Sequence, residues 1–200
     1  MSASVDEYYG EMSVASQLHL VSVQEYLDAE LDSPTKHEYL GGVVYATSGA
    51  RNIHTLVASN ILAALWSRLR GQPCRALNSD TKIRIRLPGH TRFYYPDVSV
   101  VCRPNPPDQV FQDEPTVIVE VLSDSTRRID FGEKKDAYLS IPSLAIYLLV
   151  EPDSPAVVGF RRSDQGFVRE VWEGLENTLS LAEIGVELPL SEVYEGVDFP

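Results

Sequence analysis

A mixed β-sheet flanked by helices, an α/β (α+β) architecture, is the fold class this sequence predicts, on three observations. Residues 116–122 form a short run that is apolar on both faces apart from Glu120, as expected of a central strand. A helical pattern over 130–140 and a second apolar run over 145–150 come after it, which makes a βαβ unit with parallel pairing and a right-handed crossover. Residues 81–87 alternate strictly, with Ile83, Ile85 and Leu87 on one face and Lys82, Arg84 and Arg86 on the other, so antiparallel pairing is expected over 75–122.

The remaining elements are taken in chain order. Residues 1–19 have no hydrophobic period and are expected to form an arm, leaving 20–200 as one domain with an acidic C-terminal segment. Ser22, with Glu25 three residues on, is the signature of a capping box that opens a helix over 23–30. Residues 38–47 are expected to form a strand or a tight hairpin, with Gly41-Gly42 as its turn or bulge. The longest helix is expected over 51–70, where Ile53, Val57, Ile61, Leu62, Leu65 and Leu69 share a face and Gly71 is the stop signal. A strand over 93–102 carries Tyr95-Pro96-Asp97, and the proline-rich residues 103–114 form a loop. Beyond the βαβ unit come a hairpin, 156–162 with 167–172, and a short helix near 190–194.

Composition bounds the function. Two hundred residues with 44% hydrophobic content suit one domain with a substantial core. No apolar run reaches the roughly 18 residues of a membrane span, and the N-terminus lacks a signal-peptide pattern, so a cytoplasmic location is expected. Cys74 and Cys102 lack metal-ligand spacing and are expected to be unpaired small residues in a reducing compartment. The net charge of -12 argues against a polyanionic partner until its distribution is considered. Residues 1–33 and 173–200 each hold seven acidic residues and no Lys or Arg, which leaves 15 acidic against 17 basic residues in 34–172. The middle of the chain can therefore accept a polyanion.

Burying an unpaired carboxylate costs several kcal/mol, so Glu120 needs a cation beside it. Asp97, near the start of the neighbouring strand, and Lys134, on the helix that leaves the strand of Glu120, are the candidates for its partners. Asp130, Lys134 and Tyr138 lie four residues apart and share a helical face, which can turn the lysine back toward the carboxylates. Two close carboxylates suit magnesium, which takes oxygen ligands and commonly only one or two carboxylates.

These residues carry a resemblance. Pro96-Asp97, Val119 to Ser123 around Glu120, the Asp130, Lys134, Tyr138 series and the run from Tyr147 to Pro152 resemble the Uma-two family of restriction-endonuclease-like proteins, a branch of the PD-(D/E)XK nucleases. The resemblance covers about 20–175 and implies a restriction-endonuclease-like core and a metal-dependent endonuclease that hydrolyses phosphodiester bonds, with DNA as the expected substrate. It implies Asp97 and Glu120 as ligands of Mg2+ or Mn2+, Lys134 as a catalytic residue, Glu38 and His54 as further members of the pocket, and Asp80 as a weaker one. Leu122 departs from the superfamily pattern, which has lysine at that place; the resemblance implies that Lys134 substitutes for it.

Structural readings stand beside these. Asp97 can brace a turn, Glu38 can pair with Lys36, Asp130 can cap its helix with Glu133 as partner, and His54 can cap the long helix. Lys82, Arg84 and Arg86 are candidates for nucleic-acid contact or the solvated side of an edge strand. A homodimer is expected for a small nuclease that cuts a duplex. The alternatives are an inactive nuclease-fold module used for binding or assembly, and a metal-free acid/base hydrolase.

Overall fold

The computed structural model describes residues 20–47 and 49–199, so the expected arm over 1–19 lies outside the described residues. Helix α1 (Val23–Leu31) opens with the capping box: Ser22 Oγ accepts from Glu25 N, and the Glu25 carboxylate accepts from Ser22 N at 2.8 Å. Strands β1 (His37–Leu40) and β2 (Val43–Ala46) turn at Gly41 and Gly42, both at positive φ, where residues with a Cβ are strained. Helix α2 (Asn52–Arg68) buries Val57, Ile61 and Leu65, and the chain leaves it through Gly71, again at positive φ.

Strands β3 (Arg75–Asn78), β4 (Lys82–Leu87), β5 (His90–Tyr94), β6 (Val98–Val101), β7 (Phe111–Gln112) and β8 (Pro115–Val121) come next. Helix α3 (Arg127–Ile129) runs through a π-helical turn, Asp130–Lys134, into α4 (Lys135–Leu139). The chain continues through β9 (Ile146–Val150), the hairpin β10 (Ala156–Ser163) and β11 (Gly166–Glu173), the small hairpin β12 (Thr178–Leu181) and β13 (Val186–Pro189), and α5 (Leu190–Val193).

The strands form two main sheets rather than the single sheet expected. One has the order β2-β1-β5-β4-β7, the other β11-β10-β9-β8-β6-β3, with β12 and β13 as a separate pair. β8 and β9 pair in parallel around the crossover helices, as the βαβ pattern requires. The strand expected over 93–102 breaks at Tyr95-Pro96-Asp97, where the chain passes from the first sheet to the second. Pro96 cannot donate to a ladder, which suits it to that corner.

Alternation along β8 positions the site. Val117, Val119 and Val121 enter the core under α2 and α5, while Ile118 and Leu122 enter a second core with Ile83, Ile85, Tyr138 and Tyr147. Glu120 lies between Ile118 and Leu122 on the same face, turned toward α4 and the first sheet.

The cysteines are disulfide-bonded, contrary to the expectation that they stay unpaired. Pairing of Arg75 with Val101 in β3 and β6 continues to Cys74 and Cys102, whose Cα atoms lie 3.8 Å apart. Lys82 is buried, not outward-facing: its ammonium lies 5.2 Å from the Tyr26 ring and 5.6 Å from the Tyr95 ring. No helix among the described residues is long and apolar enough to cross a membrane.

Candidate active site

Four acidic side chains and one lysine meet where β8, the corner before β6, β1 and the π-turn converge. Lys134 Nζ lies 2.9 Å from Glu38 Oε1, 3.3 Å from Glu120 Oε1 and 3.7 Å from Asp130 Oδ1. The Tyr138 hydroxyl donates to Glu120 Oε1 at 3.2 Å, so lysine and phenol together fix the rotamer of Glu120. Asp97 sits opposite Glu120: Val98 pairs with Val119, and Val121 N donates to Asp97 Oδ2 at 2.7 Å. His54 Nε2 approaches the same oxygen at 3.3 Å from the first turn of α2.

The sequence-predicted residues Asp97, Glu120, Lys134, Glu38 and His54 thus occupy one pocket. Glu38 contacts Lys134, while Lys36 pairs with Asp80 at 2.6 Å, which leaves Asp80 in a separate ion pair. Leu122 is fully buried in the second core. The expected basic stripe is not brought together as a free surface. Lys82 is buried beneath aromatic rings, Arg84 makes a two-pronged pair with Asp113, and Arg86 is 65% exposed with Asp113 at 3.7 Å.

Asp130 is the residue that sequence reasoning assigned elsewhere. It does not cap the helix, which begins at Arg127; it is 2% exposed and its Oδ1 has no hydrogen-bond partner among the described residues. Its spacing of four from Lys134 is the signal that leads to it, but Glu133 three residues on imitates a capping pair.

The electrostatics stem from burial. Burial pushes Glu120 well up from the ordinary carboxylate range; Lys134 opposes this, and repulsion from Asp97, Asp130 and Glu38 adds to it. Burial also raises Asp130, against the pull of Lys134. For Lys134 burial works against the charged form, yet Glu120, Glu38 and Asp130 outweigh it and hold the ammonium protonated. Burial likewise lowers His54, but its hydrogen bond and attraction to Asp97 prevail and the pKa is raised.

Three carboxyl groups around one ammonium, with Asp97 as a fourth across from Glu120, leave an excess of negative charge, and the carboxyl donors are all oxygen. Asp130 Oδ1, which has no hydrogen bond although Lys134 Nζ lies 3.7 Å away, and the raised Glu120 both register that excess. No three His, Cys, Asp or Glu side chains converge as a ready-made metal cage among the described residues. A magnesium ion fits such a pocket without one, because it takes one or two carboxylates and completes its shell with water and substrate oxygens.

Comparison with known proteins gives a family and a shared fold. A family model, Uma2, with the description putative restriction endonuclease, matches residues 23–191. An uncharacterised protein of Synechocystis sp. is 34% identical over 181 residues, covering 90% of this chain and 94% of the relative. A second from the same organism is 29% identical over 143 residues, covering 70% and 80%. The crystal structure of a putative nuclease from Anabaena variabilis superposes with a TM-score of 0.68 at 16% identity, over 86% of this chain and 97% of that one, which shows a shared fold.

Proposed function

The chain belongs to the Uma2 family of putative restriction endonucleases, and on that basis we propose that it is a magnesium-dependent endonuclease that hydrolyses phosphodiester bonds in DNA. The observation that carries the reading is the delivery of Lys134 from the π-turn to Glu120, opposite Asp97 at the corner that leads into the adjoining strand. A lysine in a strand next to the glutamate is absent, and the helix restores the charge at the same carboxylate.

Asp97 and Glu120 would hold the metal, which when bound supplies positive charge for the phosphate and acidifies a water. The chain's own residues do the rest. The Val121 amide and His54 fix Asp97 Oδ2, and Tyr138 fixes Glu120 Oε1, so both carboxylates are presented in one orientation. Glu120, Glu38 and Asp130 keep Lys134 protonated at a buried position. Its ammonium can then donate to a non-bridging phosphate oxygen or orient the attacking water, and this interaction strengthens as charge accumulates on the phosphate. Water attack forms one P–O bond and breaks another, releasing a phosphate end and a hydroxyl end.

The test is cleavage of supercoiled plasmid and of labelled single- and double-stranded DNA and RNA with Mg2+ or Mn2+. Wild type is expected to cut, Glu120→Gln to be inactive, and Lys134→Ala to lose on the order of 100-fold or more. Equal rates for Lys134→Ala and wild type would sink the mechanism. Magnesium binding without cutting of any substrate would instead favour a binding module. Two copies acting on a duplex would be seen as a dimer mass by light scattering.

A further inference from the structure

Acidic residues make up 29 of the 200 positions, yet none occurs between Glu38 and Asp80, while Arg51, Arg68, Arg70 and Arg75 fall in that stretch. It builds β2, α2 and β3. One flank of α2 is covered by the acidic C-terminal segment: Arg68 binds Glu192 at 2.7 Å, and Asn60 donates to the carbonyls of Val193 and Glu195. The opposite flank is open.

On that open flank Trp66 is 55% exposed, and the Arg70 guanidinium lies 5.0 Å from its ring. Two adjoining grooves of about 350 and 430 Å³ run between α2 and β3, with Trp66, Ala76 and Leu77 in the walls of both. Arg70 and Arg75 are exposed at the first groove, and neither has a carboxylate within ion-pair distance among the described residues. The nearest acid in sequence, Asp80, lies beyond Asn78 and is held by Lys36. An apolar partner would not require a surface cleared of carboxylates; a polyanion would. An exposed indole beside unpaired arginines is the combination on which bases stack while phosphates find cations.

We propose that the α2–β3 groove is a second nucleic-acid contact, in which a base of a single-stranded stretch stacks on Trp66 and the adjacent phosphates bind Arg70 and Arg75. This rests on the nuclease reading and deepens it. His54, at the pocket, and Trp66 are twelve positions apart on α2, a rise of about 18 Å at 1.5 Å per residue. That span equals about five nucleotide steps at the stacked spacing of 3.4 Å. Trp66 also faces about 120° away from His54 around the helix, so at least about five nucleotides separate a cut at the pocket from the grip.

The chain has two tryptophans, so Trp172→Phe leaves Trp66 as the sole reporter. Oligo-dT and oligo-U of about twenty nucleotides are titrated into this protein in EDTA, and binding is followed by tryptophan quenching. Affinities of Trp66→Ala and of the double variant Arg70→Ala, Arg75→Ala come from anisotropy over a range of salt. Quenching is expected, with at least a roughly tenfold loss of affinity in Trp66→Ala. The salt slope of the double variant is expected to fall by about 1.4, two single-strand phosphates. Unchanged affinity in both variants, while wild type binds and cuts, would overturn the groove alone. A change in light-scattering mass without a change in affinity would assign the groove to a second copy and also overturn it. Wild type that neither binds nor cuts would overturn the groove and the nuclease reading together.

Discussion

Lys134 holds its charge at a position where burial works against it, and three surrounding carboxylates outweigh that burial. Each member of the pocket depends on the others in this way, so single substitutions have unequal meanings. Asp130→Asn keeps the shape and removes a charge that repels Glu120. We expect unchanged or slightly higher thermal stability together with a loss of cleavage on the order of 10- to 100-fold. Full activity in that variant would leave Asp130 with a structural role alone. Glu120 was legible in the sequence because no other residue in its strand is charged, and Lys134 because it shares a helical face with Asp130 and Tyr138. The role of Asp130 was not, since capping chemistry and an inward-facing acid use the same residue types at the same spacing. Lys82 misled for a similar reason: alternation reports which face a side chain occupies, not whether aromatic rings cover that face.

At the scale of elements, the capped first helix, the Gly41-Gly42 turn, the long α2 and the parallel pair of β8 and β9 all obey local rules visible in the chain. The corner at Tyr95-Pro96-Asp97 does not. An unbroken strand and two strands in different sheets have nearly the same composition, and only the packing of the first sheet over the second distinguishes them. That corner is what turns Asp97 toward Glu120. The loop over 103–114, expected to be irregular, is pinned by Asp113, which takes two bonds from Arg84 and one from Asn105 Nδ2. Burial raises the Asp113 pKa, but the arginine and the asparagine prevail and it is lowered. A lowered carboxylate contributes stability that is complete above the unfolded value near 3.8 and is lost as pH falls through the lower folded value. Asp113→Asn should therefore cost on the order of 1–2 kcal/mol at neutral pH in urea unfolding. The difference should shrink below about pH 3.8. A pH-independent difference would mean that packing, not charge, holds the loop.

Across the whole molecule, charge is sorted by region. The described part of the acidic C-terminal segment packs on one flank of α2, and the acid-free surface lies on the other. The acidic ends were visible from composition, whereas their place relative to α2 depends on tertiary packing. The disulfide was hidden for the same reason, because strand register brings together two cysteines 28 positions apart. Closing such a loop is worth roughly 3.6 kcal/mol in the chain-entropy picture. Replacing both cysteines with serine should lower the melting temperature in oxidising buffer, and excess reductant should bring wild type down to the variant. Equal melting temperatures without reductant would show that the bond contributes nothing to the fold.

The π-turn that carries Lys134 has a consequence for relatives of this chain. Gly132 within it meets nothing within 4 Å where a Cβ would project, so that position tolerates change. A one-codon insertion there, taken up as ordinary helix, would rotate the downstream residues by about 100°, carrying the lysine away from the glutamate. The sheets, the cores and the overall similarity would survive. In a genome, such a lineage would still be recognised as kin by every strand and helix, while its chemistry had been silenced by a change in phase rather than in residue type.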